Sequence, residues 1–106
     1  MEVKRNGTDY YIKNGDKNLQ ISSGLAMSLY NNILNGTSDN LINHNSYYVI
    51  NYQSYGYFID FYLVYEDSSF VFENRFFVHK ENSAQFLICL LNIENYQIFI
   101  KNYREA

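Results

Sequence analysis

The sequence predicts an α+β domain of antiparallel β-meanders covered by two helices, in the order βββα-βββα-β, and three observations carry that expectation. Asn-Gly dipeptides at 6–7, 14–15 and 35–36 mark places where the backbone can take positive φ. A long alternation of aromatic and polar residues runs from Tyr47 to His79 with the period of two that suits strands. Two apolar stretches, one ending at Leu34 and one running from Phe86 to Leu91, are spaced for helices. With 106 residues, 47% hydrophobic and 18% charged, the chain lies far from the composition of disordered segments. It is read as one domain, residues 1–106, large enough to bury roughly 65% of its unfolded surface without disulfides or metal.

Asn6-Gly7 and Asn14-Gly15 each suit a two-residue type I′ hairpin. The first turn then sets Val3 opposite Tyr10, and the second sets Tyr10 opposite Leu19 and Lys13 opposite Asp16. Both turns collect Met1, Val3, Tyr10, Ile12, Leu19 and Ile21 on one face and leave Lys4, Asp9, Tyr11, Lys13, Asn18 and Gln20 on the other. That agreement predicts a three-stranded meander with one wet side. Leu25, Ala26, Leu29, Tyr30, Ile33 and Leu34 follow at helical spacing, with Ser23 as N-cap and Gly36 as the C′ residue. Residues 37–45 read as a polar connection with a short turn around Leu41-Ile42.

The second meander runs Ser46 to Gln53, turns at Ser54-Tyr55-Gly56, continues from Tyr57 to Glu66, turns at Asp67-Ser68, and returns from Ser69 to His79. A two-residue loop at Asp67-Ser68 pairs Val64 with Val71, Asp60 with Arg75 and Phe58 with Phe77 on one face. Tyr65 with Phe70, Leu63 with Phe72 and Ile59 with Phe76 share the other. Complementary cross-strand pairs, Asp60–Arg75 above all, favour this register. Aromatics on both faces predict a hairpin that is central or covered on both sides. From Asn82, as cap, to about Asn95 the length favours a buried helix, although the run Phe86–Leu91 alone also fits a buried strand, and the alternation of Tyr96, Ile98 and Ile100 predicts a final strand.

The chemistry in the sequence is sparse. His44 and His79 lack companions at metal-ligand spacing and read as a loop residue and a strand end. Cys89 sits in the run 86–91 without cationic neighbours, which describes a buried small hydrophobe rather than a nucleophile. Asp60 faces Arg75, so a structural ion pair outweighs a catalytic carboxylate. No nucleophile elbow, glycine-rich phosphate loop or cofactor motif is present. A net charge of −3 with eight scattered basic residues argues against nucleic acid. The polar amino terminus and a longest apolar run of six residues (Phe86–Leu91) predict a soluble, cytoplasmic protein, with no membrane partner. Asn6-Gly7-Thr8 and Asn35-Gly36-Thr37 then read as turns rather than glycosylation sites. The Asn, Tyr, Phe and Ile bias, with no Pro or Trp, suits an AT-rich genome.

Twelve tyrosines exceed what one small core buries cheaply, because each buried hydroxyl needs a partner. The sequence therefore predicts a surface patch of Tyr47, Tyr48, Tyr52, Tyr55 and Tyr62, rimmed by Asp67 and Glu73, that binds another protein. This describes a non-enzymatic module such as a small inhibitor or immunity protein; a phage-encoded blocker of a bacterial defence enzyme fits that size and composition. Two alternatives belong to other classes. One is a small-ligand binder or minor enzyme with a Tyr- and His-lined pocket. The other is a homo-oligomer built on the aromatic hairpin.

Overall fold

The computed structural model describes residues 1–22, 24–43 and 45–105, with side chains described as far as Ile100. Strands β1 (Glu2–Asn6), β2 (Asp9–Asn14) and β3 (Lys17–Ile21) form a three-stranded antiparallel meander. Its turns fall one residue later than the Asn-Gly reading. Asn6 pairs with Asp9 and Asn14 with Lys17, so the loops are Gly7-Thr8 and Gly15-Asp16. Positive φ occurs at the first central residue alone, +65° at both Gly7 and Gly15, which is the sign pattern of a II′ turn rather than I′. The pairing therefore becomes Val3 to Ile12 and Tyr10 to Ile21. Each register moves by two residues, and a shift of two preserves the face. Tyr10, Ile12, Leu19 and Ile21 are accordingly buried, as expected.

Helix α1 (Ala26–Asn35) buries Ala26, Leu29 and Ile33 in the core that this face shares. The Ser23 cap lies outside the described residues; Leu25 occupies the cap position, without a side-chain hydrogen bond. Gly36 ends the helix as predicted, at φ +65°. Its N–H donates to the Ile33 carbonyl at 3.4 Å while Thr37 N–H donates to the Asn32 carbonyl at 3.1 Å, the paired bonds of a Schellman motif. The polar connection that follows is not a loop. Asp39–Asn43 forms strand β4, with Leu41 opposite Tyr48 and Ile42 opposite Tyr47. The sequence hid it because Leu41 and Ile42 are adjacent rather than alternating, as an edge strand permits.

Strands β5 (Ser46–Gln53), β6 (Gly56–Val64) and β7 (Phe70–His79) complete a second antiparallel sheet in the order β4-β5-β6-β7. At Gly56 a Cβ would collide with the Val78 carbonyl oxygen, so only glycine lets β6 approach β7 at that point. The pairs Asp60–Arg75, Ile59–Phe76 and Phe58–Phe77 stand as predicted. Nearer the turn the predicted pairs are wrong. The loop contains three residues, Glu66, Asp67 and Ser68: Tyr65 N–H donates to the Ser69 carbonyl and Ser68 N–H to the Tyr65 carbonyl. Ser68 takes the left-handed conformation at φ +67°, the usual ending of such a loop. Tyr62 therefore pairs with Phe72 and Val64 with Phe70, and Glu73 is the extra residue of a β-bulge that restores the predicted register beyond it.

The chain ends in helix α2 (Ser83–Glu105), entered through a 3₁₀ turn at Lys80–Asn82. His79 caps that turn, its Nδ1 accepting the Glu81 N–H at 3.2 Å, and α2 begins directly after Asn82. The predicted final strand over 96–101 does not form: the helix continues for 23 residues because neither Gly nor Pro interrupts it. The observed order is thus βββα-ββββα within the predicted α+β class. No helix among the described residues is long and apolar enough to cross a membrane.

One core collects both helices and one face of each sheet, including Ile12, Leu19, Leu29, Ile59, Phe76, Phe86 and Leu90. Each such side chain contributes about 1.5–3 kcal/mol relative to exposure. Cys89 belongs to this core, and burial pushes its thiol up. Four hydrogen bonds tie the layers. Tyr48 hydroxyl donates to the Gln20 carbonyl and accepts the Ser22 N–H at 3.0 Å, joining β5 to the end of β3. Tyr57 hydroxyl donates to the Ile33 carbonyl at 2.7 Å, fixing α1 on β6. Ser22 Oγ donates to Ser46 Oγ, so the polar atoms buried around Tyr48 are satisfied.

Replacing Gly15 by Val should cost about 1–3 kcal/mol in urea unfolding, because a β-branched residue resists φ +65° even though the space there is open. An unchanged midpoint would remove the positive-φ turn. The Tyr48→Phe variant strands Ser22 N–H and the Gln20 carbonyl and should cost about 1–3 kcal/mol. Burial, partly offset by the Ser22 hydrogen bonds, raises the Tyr48 pKa above its ordinary 10.0. A raised native pKa gives stability that is complete below pH 10.0 and is lost as pH climbs from there through the native value. Alkaline unfolding followed by tyrosinate absorbance should therefore be less steep in Tyr48→Phe; an identical slope would contradict this assignment.

Candidate functional site

The second sheet has two faces, and the core takes only one. Strand alternation puts Ser46, Tyr48 and Ile50 of β5, Tyr57, Ile59 and Phe61 of β6, and Phe76 and Val78 of β7 inward. The opposite, outer face carries Ile42 from β4, Tyr47 and Val49 from β5, Phe58, Asp60 and Tyr62 from β6, and Phe70, Phe72, Arg75 and Phe77 from β7. Neither helix lies over it, since the buried residues of both belong to the shared core. Ile42 is 62% exposed and Phe70 and Phe72 are each 52% exposed.

Two aromatic clusters share this face. Tyr47 meets Tyr62 at 5.7 Å and Phe70 at 5.0 Å between ring centroids, and Tyr62 meets Phe72 edge-on at 5.5 Å. At the other end Phe58 and Phe77 pack at 4.8 Å, with Tyr55 from the β5–β6 turn 6.1 and 5.9 Å from them. Such contacts hold the rings in defined orientations before any partner arrives. Between the clusters Arg75 grips Asp60 through two hydrogen bonds, Nε at 2.7 Å and a terminal nitrogen at 2.9 Å. Its guanidinium carbon lies 5.2 Å from the Phe58 ring centre. The Asp60 bonds raise the Arg75 pKa further above its already high value, so the guanidinium stays charged throughout the physiological range.

The predicted patch is thus partly assembled. Tyr47 and Tyr62 touch on the outer face, and Tyr55 joins the second cluster. Tyr48 does not belong: it is fully buried, with its hydroxyl between the sheets. Consecutive strand residues point to opposite faces, so Tyr47 and Tyr48 cannot share a surface. Tyr52 lies on the inward side beside Tyr57, at 5.2 Å, near the end of α1. Asp67 sits in the hairpin loop, where its carboxylate accepts the Ser69 hydroxyl at 2.6 Å and the Ser69 N–H at 3.0 Å; these bonds lower its pKa. Glu73 is the exposed bulge residue. Phe70 and Phe72 were missed because the two-residue loop turned them inward, and the signal that corrects this is the three-residue loop.

The predicted pocket takes a different form. A cleft of about 280 Å³ lies between the end of α1 and the start of α2, lined by Ile33, Gly36, Tyr52, Tyr57, Lys80 and Ser83. Burial, with the neighbouring Tyr52 adding to it, raises the Tyr57 pKa, and its hydroxyl is already committed to α1. His44 lies outside the described residues. Among the described residues no group of three His, Cys, Asp or Glu could hold a metal ion. The chain matches no protein-family model, and neither the curated proteins nor the solved structures give a significant match.

A double-mutant cycle on Asp60→Asn and Arg75→Gln should give favourable coupling at low ionic strength that fades as salt is added, since one partner is exposed. Coupling absent at low salt would separate the two residues in solution.

Proposed function

We propose that this protein is a non-enzymatic binding module whose outer sheet face docks on another protein. The observation that carries the reading is a face of a four-stranded sheet, dense in oriented aromatic rings, over which neither described helix lies. Exposed apolar patches on such a scale mark interaction surfaces. Tyr47, Tyr55 and Tyr62 supply broad contact area with few rotatable bonds. The Asp60–Arg75 pair between the clusters fixes orientation, and the acidic Asp67 and Glu73 provide a polar rim.

The finer proposal is a small inhibitor or immunity-type protein, of the kind a phage encodes against a bacterial defence enzyme. The acidic balance of −3 supports a partner surface with basic character. A ligand pocket has weaker support, because the cleft beside α1 falls just below the usual range of about 300–1,000 Å³ and one of its hydroxyls is spoken for.

The decisive comparison uses paired baits in one lysate. Tyr47→Ala with Tyr62→Ala should lose a partner that the unaltered chain retains, while melting within a few degrees of it, because a rigid aromatic anchor can contribute about 2 kcal/mol or more to binding. Full retention of that partner by the double variant would move the interface elsewhere.

A further inference from the structure

The β7 edge offers a second, independent surface. Strand β7 ends the sheet, and no strand among the described residues pairs with its outer side over Phe70–Phe72. Antiparallel ladders alternate between residues bonded to their partner and residues whose peptide groups point away. Tyr65 N–H donates to the Ser69 carbonyl, which makes that pair a bonded one, and Val64 N–H is directed to the Asn45 carbonyl on the β5 side. Val64–Phe70 and Tyr62–Phe72 are therefore non-bonded pairs. It follows that Phe70 and Phe72 turn their N–H and carbonyl groups to the open edge, while Val71 turns its own toward β6.

We infer that this edge pairs with the same edge of a second copy, antiparallel about a two-fold axis through Val71. In that register Phe70 lies opposite Phe72 of the second copy and exchanges both backbone hydrogen bonds with it, and the reciprocal pair does the same. Val71 faces its own counterpart as a non-bonded pair. No other register centred in this stretch brings both outward-facing peptide groups onto outward-facing partners. Side chains and charge agree with the backbone. Val71 is 42% exposed and Phe70 and Phe72 each 52%, so three apolar residues in a row are uncovered. The exposed loop acids Glu66 and Asp67 of each copy come beside the other copy's Arg75. Lys17 stands near the same place, next in sequence to Asn18, whose carbonyl accepts a hydrogen bond from Asn74 at 2.8 Å. Opposite charges thus meet at both ends of the seam. The two outer faces join into one, with Phe70 and Phe72 of both copies at its centre.

The inference goes beyond the proposed function, because the edge can pair whether or not the outer face binds a partner. Its test leaves Tyr47 and Tyr62 untouched. Sedimentation of the full chain should give twice the 12.6 kDa chain mass at about 100 µM. Val71→Cys should cross-link under oxidised glutathione, since non-bonded antiparallel pairs hold their Cα atoms about 4.5 Å apart, within disulfide reach. Ser69→Cys should not, its counterpart lying about 13 Å away along the strand. Val71→Lys should sediment as a monomer with its melting temperature retained, because it opposes two ammonium groups across the axis. A monomeric unaltered chain, a dimer indifferent to Val71→Lys, or equal cross-linking at 69 and 71 would each overturn the inference.

Discussion

The Tyr48 hydroxyl is the interaction on which the arrangement of the two sheets depends. It reaches across the layer boundary to two backbone groups at the end of β3, and Ser22 and Ser46 complete the polar knot around it. Apolar contact alone would let two aromatic-rich sheets slide, since hydrophobic burial is non-directional. A buried phenol that must find its partners removes that freedom, because any shift strands polar atoms in a dry environment. Asn74, donating to the Asn18 carbonyl, adds a second fixed point at the β7 edge.

Once the sheets are fixed in this way, the rest of the surface follows. Both helices fill the space against the shared core, α1 pinned by Tyr57 and α2 entering from the His79-capped turn. Among the described residues no element covers the far side of the four-stranded sheet. Its aromatic residues are therefore not leftovers from the core; they are mutually packed and centred on a bidentate ion pair. Such an arrangement is already ordered, which lowers the entropy that a docking partner would have to overcome.

The sequence made the inward faces legible and the exact pairings less so, for one reason. Side chains alternate with period two, so the meander could be misplaced by two residues and still show Tyr10, Ile12, Leu19 and Ile21 facing the core. The same arithmetic punished an error of one: the short loop assigned to Asp67-Ser68 turned Phe70 and Phe72 to the wrong side. Gly36 was readable because positive φ at a helix end calls for glycine. Strand β4 and the continuation of α2 past Asn95 were not, since their outcomes rest on tertiary pairing for one and on the absence of a breaker for the other. Within the candidate site, Tyr47 and Tyr62 could be placed by composition and register, whereas including Tyr48 beside Tyr47 overlooked the alternation itself.

The bulge at Glu73 interrupts the β7 edge. Without the extra residue, β7 would present one regular ladder from Phe70 to His79 along the sheet edge. The irregularity breaks that ladder, and beyond it the first sheet comes up against Asn74. The bulge divides β7 into a three-residue stretch, Phe70–Phe72, and a six-residue stretch, Asn74–His79. The single extra residue at Glu73 thus shortens the uninterrupted ladder on the open part of this edge.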